Sequence, residues 1–183
     1  PSIILWGPPG VGKTTLATVL AHHLQQPFYQ LSAISSGVKE IREVIEAAKV
    51  QQGALLFIDE IHRFNKGQQD ALLGAVEKGI VTLIGATTEN PSFEVNSALL
   101  SRSQVYVLKA LEPIQLLQLL HSAMQQDVVF NTLPIELKET EALIRLSGGD
   151  ARKLLNLFEM SVQAVQATAG EGAIIISDDV VMK

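Results

Sequence analysis

Gly7-Pro8-Pro9-Gly10-Val11-Gly12-Lys13-Thr14 fits the spacing G-x-x-x-x-G-K-[ST], and this segment restricts the surrounding architecture more than any other in the chain. Such a loop works only between a buried strand and a helix. The apolar run Ile3-Ile4-Leu5-Trp6 supplies the strand, and Thr15-Leu16-Ala17-Thr18-Val19-Leu20-Ala21 supplies the helix. A glycine-rich turn between them aims successive backbone N–H groups and a helix N-terminus at one point, which makes an anion site. Lys13 then reaches the β- and γ-phosphates of a nucleotide, and the Thr14 hydroxyl takes a place on Mg²⁺. The predicted ATP-binding set is therefore Gly7, Pro8, Pro9, Gly10, Val11, Gly12, Lys13, Thr14 and Thr15.

A second segment adds chemistry to binding. Ala54-Leu55-Leu56-Phe57-Ile58 is a short continuous apolar run, suited to a strand buried on both faces of a parallel sheet. It ends in Asp59-Glu60. A carboxylate at a strand's C-terminal edge can hold Mg²⁺ and complete, with Thr14, the expected metal site. Glu60 is then placed to orient and activate a water for attack on the γ-phosphate. An acidic pair that merely caps a strand has the same appearance; the phosphate loop upstream weighs against it.

Walking the chain gives strand and helix in alternation. Pro27–Leu31 reads as a strand, and Gly37–Gln51 as a helix with Val38, Ile41, Ile45 and Ala48 on one face. After the strand at 54–58 comes a helix from about Gly67 to Lys78, closed by Gly79. Ile80–Ala86 is a strand, Asn96–Ser101 a short helix, and Gln104–Leu108 a last strand. This order predicts an α/β fold, a parallel five-stranded sheet sandwiched by helices, with both motifs converging at the strands' C-terminal ends.

From Glu112-Pro113 the texture changes to helical segments: one opened by Pro113, one opened by Pro134 and running through Ile144 and Leu146 to Gly148-Gly149, and one capped by Asp150. A small helical domain, hinged near Lys109–Glu112, is expected over 110–183 beside a nucleotide-binding core over 1–109. Length, 183 residues, suits a domain with such a satellite, and 47% hydrophobic content supplies the core. There are no cysteines, which excludes disulfides, thiol nucleophiles and Cys-ligated zinc. A net charge of −5 argues against a broadly basic nucleic-acid surface, leaving local patches. No apolar stretch approaches a membrane span. The chain opens inside its first strand without Met and closes on what looks like the start of a helix, so a piece of a longer protein, cut at both ends, is expected.

Together, GPPGxGKT, the Ile58-Asp59-Glu60 strand end, the Thr87-Thr88 strand end, Ser101-Arg102 before the last strand and Gly149-Asp150-Ala151-Arg152 resemble an AAA+ ATPase. The stretches Asp59-Glu60-Ile61-His62-Arg63-Phe64-Asn65-Lys66 with Gln68-Gln69-Asp70, and Gly85-Ala86-Thr87-Thr88-Glu89-Asn90-Pro91-Ser92-Phe93, are more particular. They resemble the bacterial replication-associated recombination protein A family, relatives of the Werner-helicase-interacting ATPase and of clamp loaders. The resemblance runs from Ile3 to about Glu159.

What it implies is a P-loop AAA+ fold with a small C-terminal helical lid, and a Mg²⁺-dependent, DNA-dependent ATPase acting at stalled or gapped replication forks. It implies that Thr88 is a first sensor positioning water or γ-phosphate, and that Arg102 is an arginine finger acting on a neighbouring subunit. Arg152 becomes a second sensor closing over its own subunit's nucleotide, and Ser32 takes the position that restrains the catalytic glutamate in relatives. The implied partners are single-stranded or forked DNA, further copies of the chain held through domains outside this segment, and replication or single-strand-binding proteins. The implied place is the bacterial cytoplasm at the nucleoid, without a membrane. Adenine contacts are expected partly upstream of the first strand, and an oligomerisation domain after Lys183. Two other functions stay open: a Holliday-junction branch-migration motor, which shares the Gly-Ala-Thr-Thr strand end, and a non-catalytic clamp-loader-like scaffold, against which the intact Lys13, Asp59, Glu60 and Arg102 set argues.

Two cation pairs are candidates for DNA contact, Lys39 with Arg42 and Arg63 with Lys66; ordinary solvated charge explains each residue equally well. His22-His23, about 100° apart on a helix, make a poor metal pair. His62 reads as packing for the strand end and Trp6 as core.

Overall fold

Five short apolar runs become the strands of one parallel sheet in the computed structural model, which describes residues 1–169 and 172–183. In chain order, β1 (Ser2–Trp6), α1 (Lys13–Leu24), β2 (Phe28–Ser32), α2 (Val38–Lys49) and β3 (Leu55–Asp59) alternate. They are followed by α3 (Lys66–Glu77), β4 (Thr82–Thr87), α4 (Pro91–Glu94), α5 (Ser97–Leu100) and β5 (Ser103–Val107). The spatial order β2-β3-β4-β1-β5 inserts β1 between β4 and β5. Ile4 lies opposite Gly85 on one side and Val105 on the other. In β3, Phe57 lies opposite Gln30 and Ile84.

Period-two alternation sends each strand's side chains to two separate layers. Leu55 and Phe57 of β3 join Leu5, Ile84 and Ala86 beneath Ala17 and Ala21 of α1. Leu56 and Ile58 point the other way, among Ile41, Ile45 and Ala48 of α2 and Leu72 and Ala75 of α3. The α2 residues recur at four and three positions, the stripe an amphipathic helix needs. Helix starts are also locally determined. Asn65 Oδ1 accepts from Gln68 N at 3.0 Å while Gln68 Oε1 accepts from Asn65 N at 2.8 Å, a reciprocal cap that fixes where α3 begins. At α2, Gly37 N donates to Glu40 Oε2 at 2.8 Å, and amide donors at Glu40 and Gly37 hold this carboxyl below its usual range.

Gly85 shows how tightly one layer is packed. A Cβ there would lie 2.7 Å from Ile4 Cδ1 and 3.1 Å from Ile61 Cδ1. Gly85→Ala is therefore expected to destabilise the fold by roughly 1–3 kcal/mol through overpacking, read as a lower urea midpoint at unchanged slope.

The chain divides into two compact units, Pro1–Pro8 with Gly12–Leu108, and Pro9–Val11 with Lys109–Lys183. The second contains α6 (Pro113–Gln126), β6 (Ile135–Leu137), α7 (Glu141–Ser147), α8 (Ala151–Ala169), β7 (Ile174–Ile176) and α9 (Asp178–Val181). Its core gathers Leu116, Leu120, Leu143, Leu154, Phe158, Val162, Ile174 and Ile176, with Phe130 edge-on to Phe158 at 5.1 Å. The helix expected to open at Pro134 does not form there. Pro134 instead precedes β6, its carbonyl accepting from Ile174 N at 2.9 Å, and β6 pairs in parallel with β7. A proline ahead of a strand costs no ladder bond, and Ile135 and Leu137 gain partners in Ile174 and Ile176. The helix waits until Glu141. Among the described residues, no helix is long and apolar enough to cross a membrane.

Candidate nucleotide site

The loop at 7–14 leaves the C-terminal end of β1, and its first residue is still held by the sheet. Gly7 N donates to Thr87 O at 3.1 Å, extending the β1–β4 ladder. A Cβ on Gly7 would lie 2.4 Å from Leu108 O, so this position admits no side chain. Gly12 takes φ 90° as it caps α1, a conformation that glycine adopts without strain. Lys13 Nζ donates to Gly7 O at 2.7 Å and Pro8 O at 2.8 Å, so the lysine curls back over the loop it follows. Lys13 and Thr14 are half-buried, whereas Pro8, Pro9 and Thr15 are exposed.

Asp59 closes β3 at the same edge of the sheet. Only β4 separates β3 from β1, so the two strand ends are about 10 Å apart at ordinary strand spacing. That gap suits a polyphosphate lying between the loop and the carboxylate. Asp59 Oδ1 accepts from Glu60 N at 3.0 Å. Among the described residues, no cluster of three or more His, Asp or Glu side chains could hold a metal by itself. Mg²⁺ is commonly bound through one or two protein groups with phosphate oxygens and waters. The donors Thr14 and Asp59 fit an ion that arrives with a nucleotide.

Glu60 leaves the strand line at φ 53° and begins a 3-10 turn, Ile61–Arg63. Its Oε2 is shielded from solvent and meets Arg63 Nε at 2.7 Å as an ion pair without hydrogen-bond alignment. Ser32, the expected restraint, has its Oγ 3.4 Å from Ile34 N as acceptor, while the Glu60 carboxylate is engaged by Arg63. This partner was not anticipated from sequence, although the Glu-x-x-Arg spacing was there to be read.

β4 ends at Thr87, one residue before Thr88. Thr87 is fully buried; its Oγ1 is 3.0 Å from His62 Nδ1 and accepts from Glu89 N at 3.0 Å. Thr88 follows in the bend with an exposed side chain, so the hydroxyl pointing away from the core belongs to Thr88. His62 ties the turn after β3 to the end of β4, which matches its reading as packing. Trp6 is only half-buried.

Arg102 precedes β5 at its N-terminal end, with Ser103 opposite Ser2. The loop and Asp59 lie at the C-terminal ends, about 16 Å away along a strand of five residues. Arg102 Nη2 pairs with Glu77 Oε1 at 2.7 Å and Nη1 donates to Ala98 O at 2.9 Å. Geometry thus separates it from its own phosphate loop. Arg152 is exposed in the first turn of α8, in the second unit. Of the cation candidates, Lys39 pairs loosely with Glu43 at 3.8 Å, while Arg42, Arg63 and Lys66 are exposed.

The profile of the ATPase family associated with various cellular activities (AAA) matches residues 3–111. The chain is 53% identical over 171 residues to replication-associated recombination protein A of Escherichia coli (strain K12), covering 87% of this chain and 37% of that one. It is 46% identical to the ATPase WRNIP1 of Dictyostelium discoideum, covering 90% of this chain and 19% of that one. Among solved structures, the Thermotoga maritima RuvB Holliday junction branch migration motor superposes with a TM-score of 0.78 at 29% identity, covering 99% of this chain and 59% of that one. The chain spans well under half the length of these curated relatives.

Proposed function

We infer the function from one premise: this chain belongs to the AAA family of ATPases. We propose that it is the ATP-hydrolysing part of a DNA-stimulated ATPase that works in replication-coupled recombination and repair, at stalled or gapped forks. The convergence of the phosphate loop and Asp59-Glu60 on one edge of the sheet carries the reading. Similarity at 53% identity to a replication-associated recombination protein supplies the biological setting.

In this reading residues 7–15 cradle the phosphates, and Lys13 exchanges its loop carbonyls for β- and γ-phosphate oxygens. Thr14 and Asp59 would hold Mg²⁺, which neutralises charge on the transferred phosphoryl group. Glu60 orients the attacking water and takes up its proton as the bond to the ADP oxygen breaks. Thr88 helps position that water. Residues 110–183 act as a lid that contributes Arg152, and Arg102 is delivered to the γ-phosphate of a neighbouring copy. The assembly, its DNA and any single-strand-binding partner meet at the nucleoid in the cytoplasm.

A second reading, a branch-migration motor, draws on the superposition with RuvB over 99% of the chain. Identity is lower there, 29% against 53%, which favours the first. The deciding measurement is ATP turnover by the complete protein with single-stranded, double-stranded, forked and four-way-junction DNA. The expected result is Mg²⁺-dependent turnover raised most by single-stranded or forked DNA, with nucleotide affinity lost in Lys13→Ala. Stimulation confined to four-way junctions would transfer the protein to the motor class, and an absence of turnover would leave a scaffold.

A further inference from the structure

We propose that Phe93 is a stacking platform for one base of a single-stranded DNA, with Lys66 beside it for a phosphate of the same strand. The inference rests on the DNA-stimulated ATPase reading above and names how a single strand is told from a duplex.

Of the six phenylalanines, Phe93 alone is exposed, at 83%. Its backbone is nevertheless fixed on both sides. Asn90 Oδ1 accepts from Ser92 N at 3.0 Å, capping α4, and Pro91 and Val95, two residues to either side of Phe93, are buried. Gln69 is buried as well, and its whole amide is spent on this segment and the turn before α3. Its Nε2 donates to Glu94 O at 3.0 Å and to Phe64 O at 2.9 Å, and its Oε1 accepts from Asn96 N at 2.6 Å. Asn96 Nδ2 adds a bond to Asp70 Oδ1 at 3.2 Å. A ring held out on so stiff a mount loses little freedom when a flat partner covers it.

The surroundings select what that partner is. A protein-docking patch is a contiguous apolar surface with a polar rim. Here the ring stands alone: Ser92, Glu94 and Ser97 around it are exposed and polar. Phe93 and Lys66 line one hollow of about 350 Å³ between the start of α3 and the α4–α5 segment. Lys66 is exposed and makes no ion pair among the described residues, although Glu94 lines the same hollow. One aromatic face beside a free ammonium fits a base and a backbone phosphate, the combination that grips single strands without reading their sequence. In a duplex each base is covered on both faces by its neighbours, so the platform has nothing to receive. The segment follows β4 at the C-terminal end of the sheet, the edge that also carries the phosphate loop and Asp59.

The test uses the complete protein without nucleotide and a labelled oligothymidylate. Phe93→Ala is expected to weaken binding roughly 5- to 100-fold, the worth of one stacked base, while Phe93→Trp keeps it. The two cations and rings should separate by salt. Phe93→Ala leaves the slope of log affinity against log salt unchanged, and Lys66→Ala flattens it by about 0.7. Wild type should bind a strand of the same length carrying abasic sites more weakly by a similar factor, and Phe93→Ala should lose most of that preference, because the variant and the missing bases remove one contact. Duplex of equal length should bind wild type and Phe93→Ala alike. Wild-type affinity for oligothymidylate in Phe93→Ala, or an equal loss on duplex and on the abasic strand, would overturn the platform. So would a loss that tracks a change in subunit assembly by sedimentation, which would assign Phe93 to a second copy of the chain. A wild type that binds oligothymidylate and shows the stacking pattern but hydrolyses no ATP would sink the functional reading and leave the platform standing.

Discussion

Glu60→Gln is expected to keep ATP binding near wild type while turnover falls by roughly 10²–10⁴-fold, the usual worth of a positioned general base. The amide preserves the shape of the side chain and the turn that follows β3, so the loss falls on kcat. Asp59, whose Oδ1 already accepts from Glu60 N, remains available to the metal. Pre-steady-state mixing would separate the two quantities: nucleotide binding at wild-type rate followed by a stalled chemical step. Equal turnover in the variant would remove Glu60 from the mechanism.

Arg102→Ala should bind nucleotide normally and hydrolyse it up to about 10³-fold more slowly, because a finger acts on charge that develops only during transfer. Loss of folding does not account for such an effect. The ion pair with Glu77 is half-exposed on both sides and contributes at most about 1 kcal/mol. Placement at the opposite end of the sheet from the phosphate loop makes the defect complementable. A mixture with Lys13→Ala, which carries a finger but binds nucleotide poorly, should recover part of the activity. No recovery in oligomers shown to exchange subunits would contradict action across a boundary.

The sheet was legible because its strands announce themselves locally. Runs such as Leu55–Ile58 are too short and too uniformly apolar for a surface helix, and each is followed by a turn or a cap. The placement of residues 7–14 after β1 and of Asp59 at the end of β3 was legible for a related reason, since each is set by near neighbours in sequence. The failure at Pro134 is the converse. Proline opens helices and precedes strands alike, and the residues that decide between them, Ile174 and Ile176, lie some forty positions downstream. The short α4 was missed although Asn90 caps it through Ser92 N and Pro91 occupies its first turn. The Glu60–Arg63 pair escaped for geometric reasons. A spacing of three places two side chains together only if the turn is helical, and the five residues between β3 and the Asn65 cap of α3 give no periodicity from which to infer one.

At position 60 folding and function ask for different residues. A backbone φ of 53° is neutral for glycine but disfavours a residue with a side chain by roughly 1 kcal/mol. Selection for a stable domain alone would drift toward glycine there, yielding a sturdier and inert protein. In the proposed mechanism, a sequence of this kind with Gly at the equivalent place would keep the scaffold and lose the carboxylate that activates water.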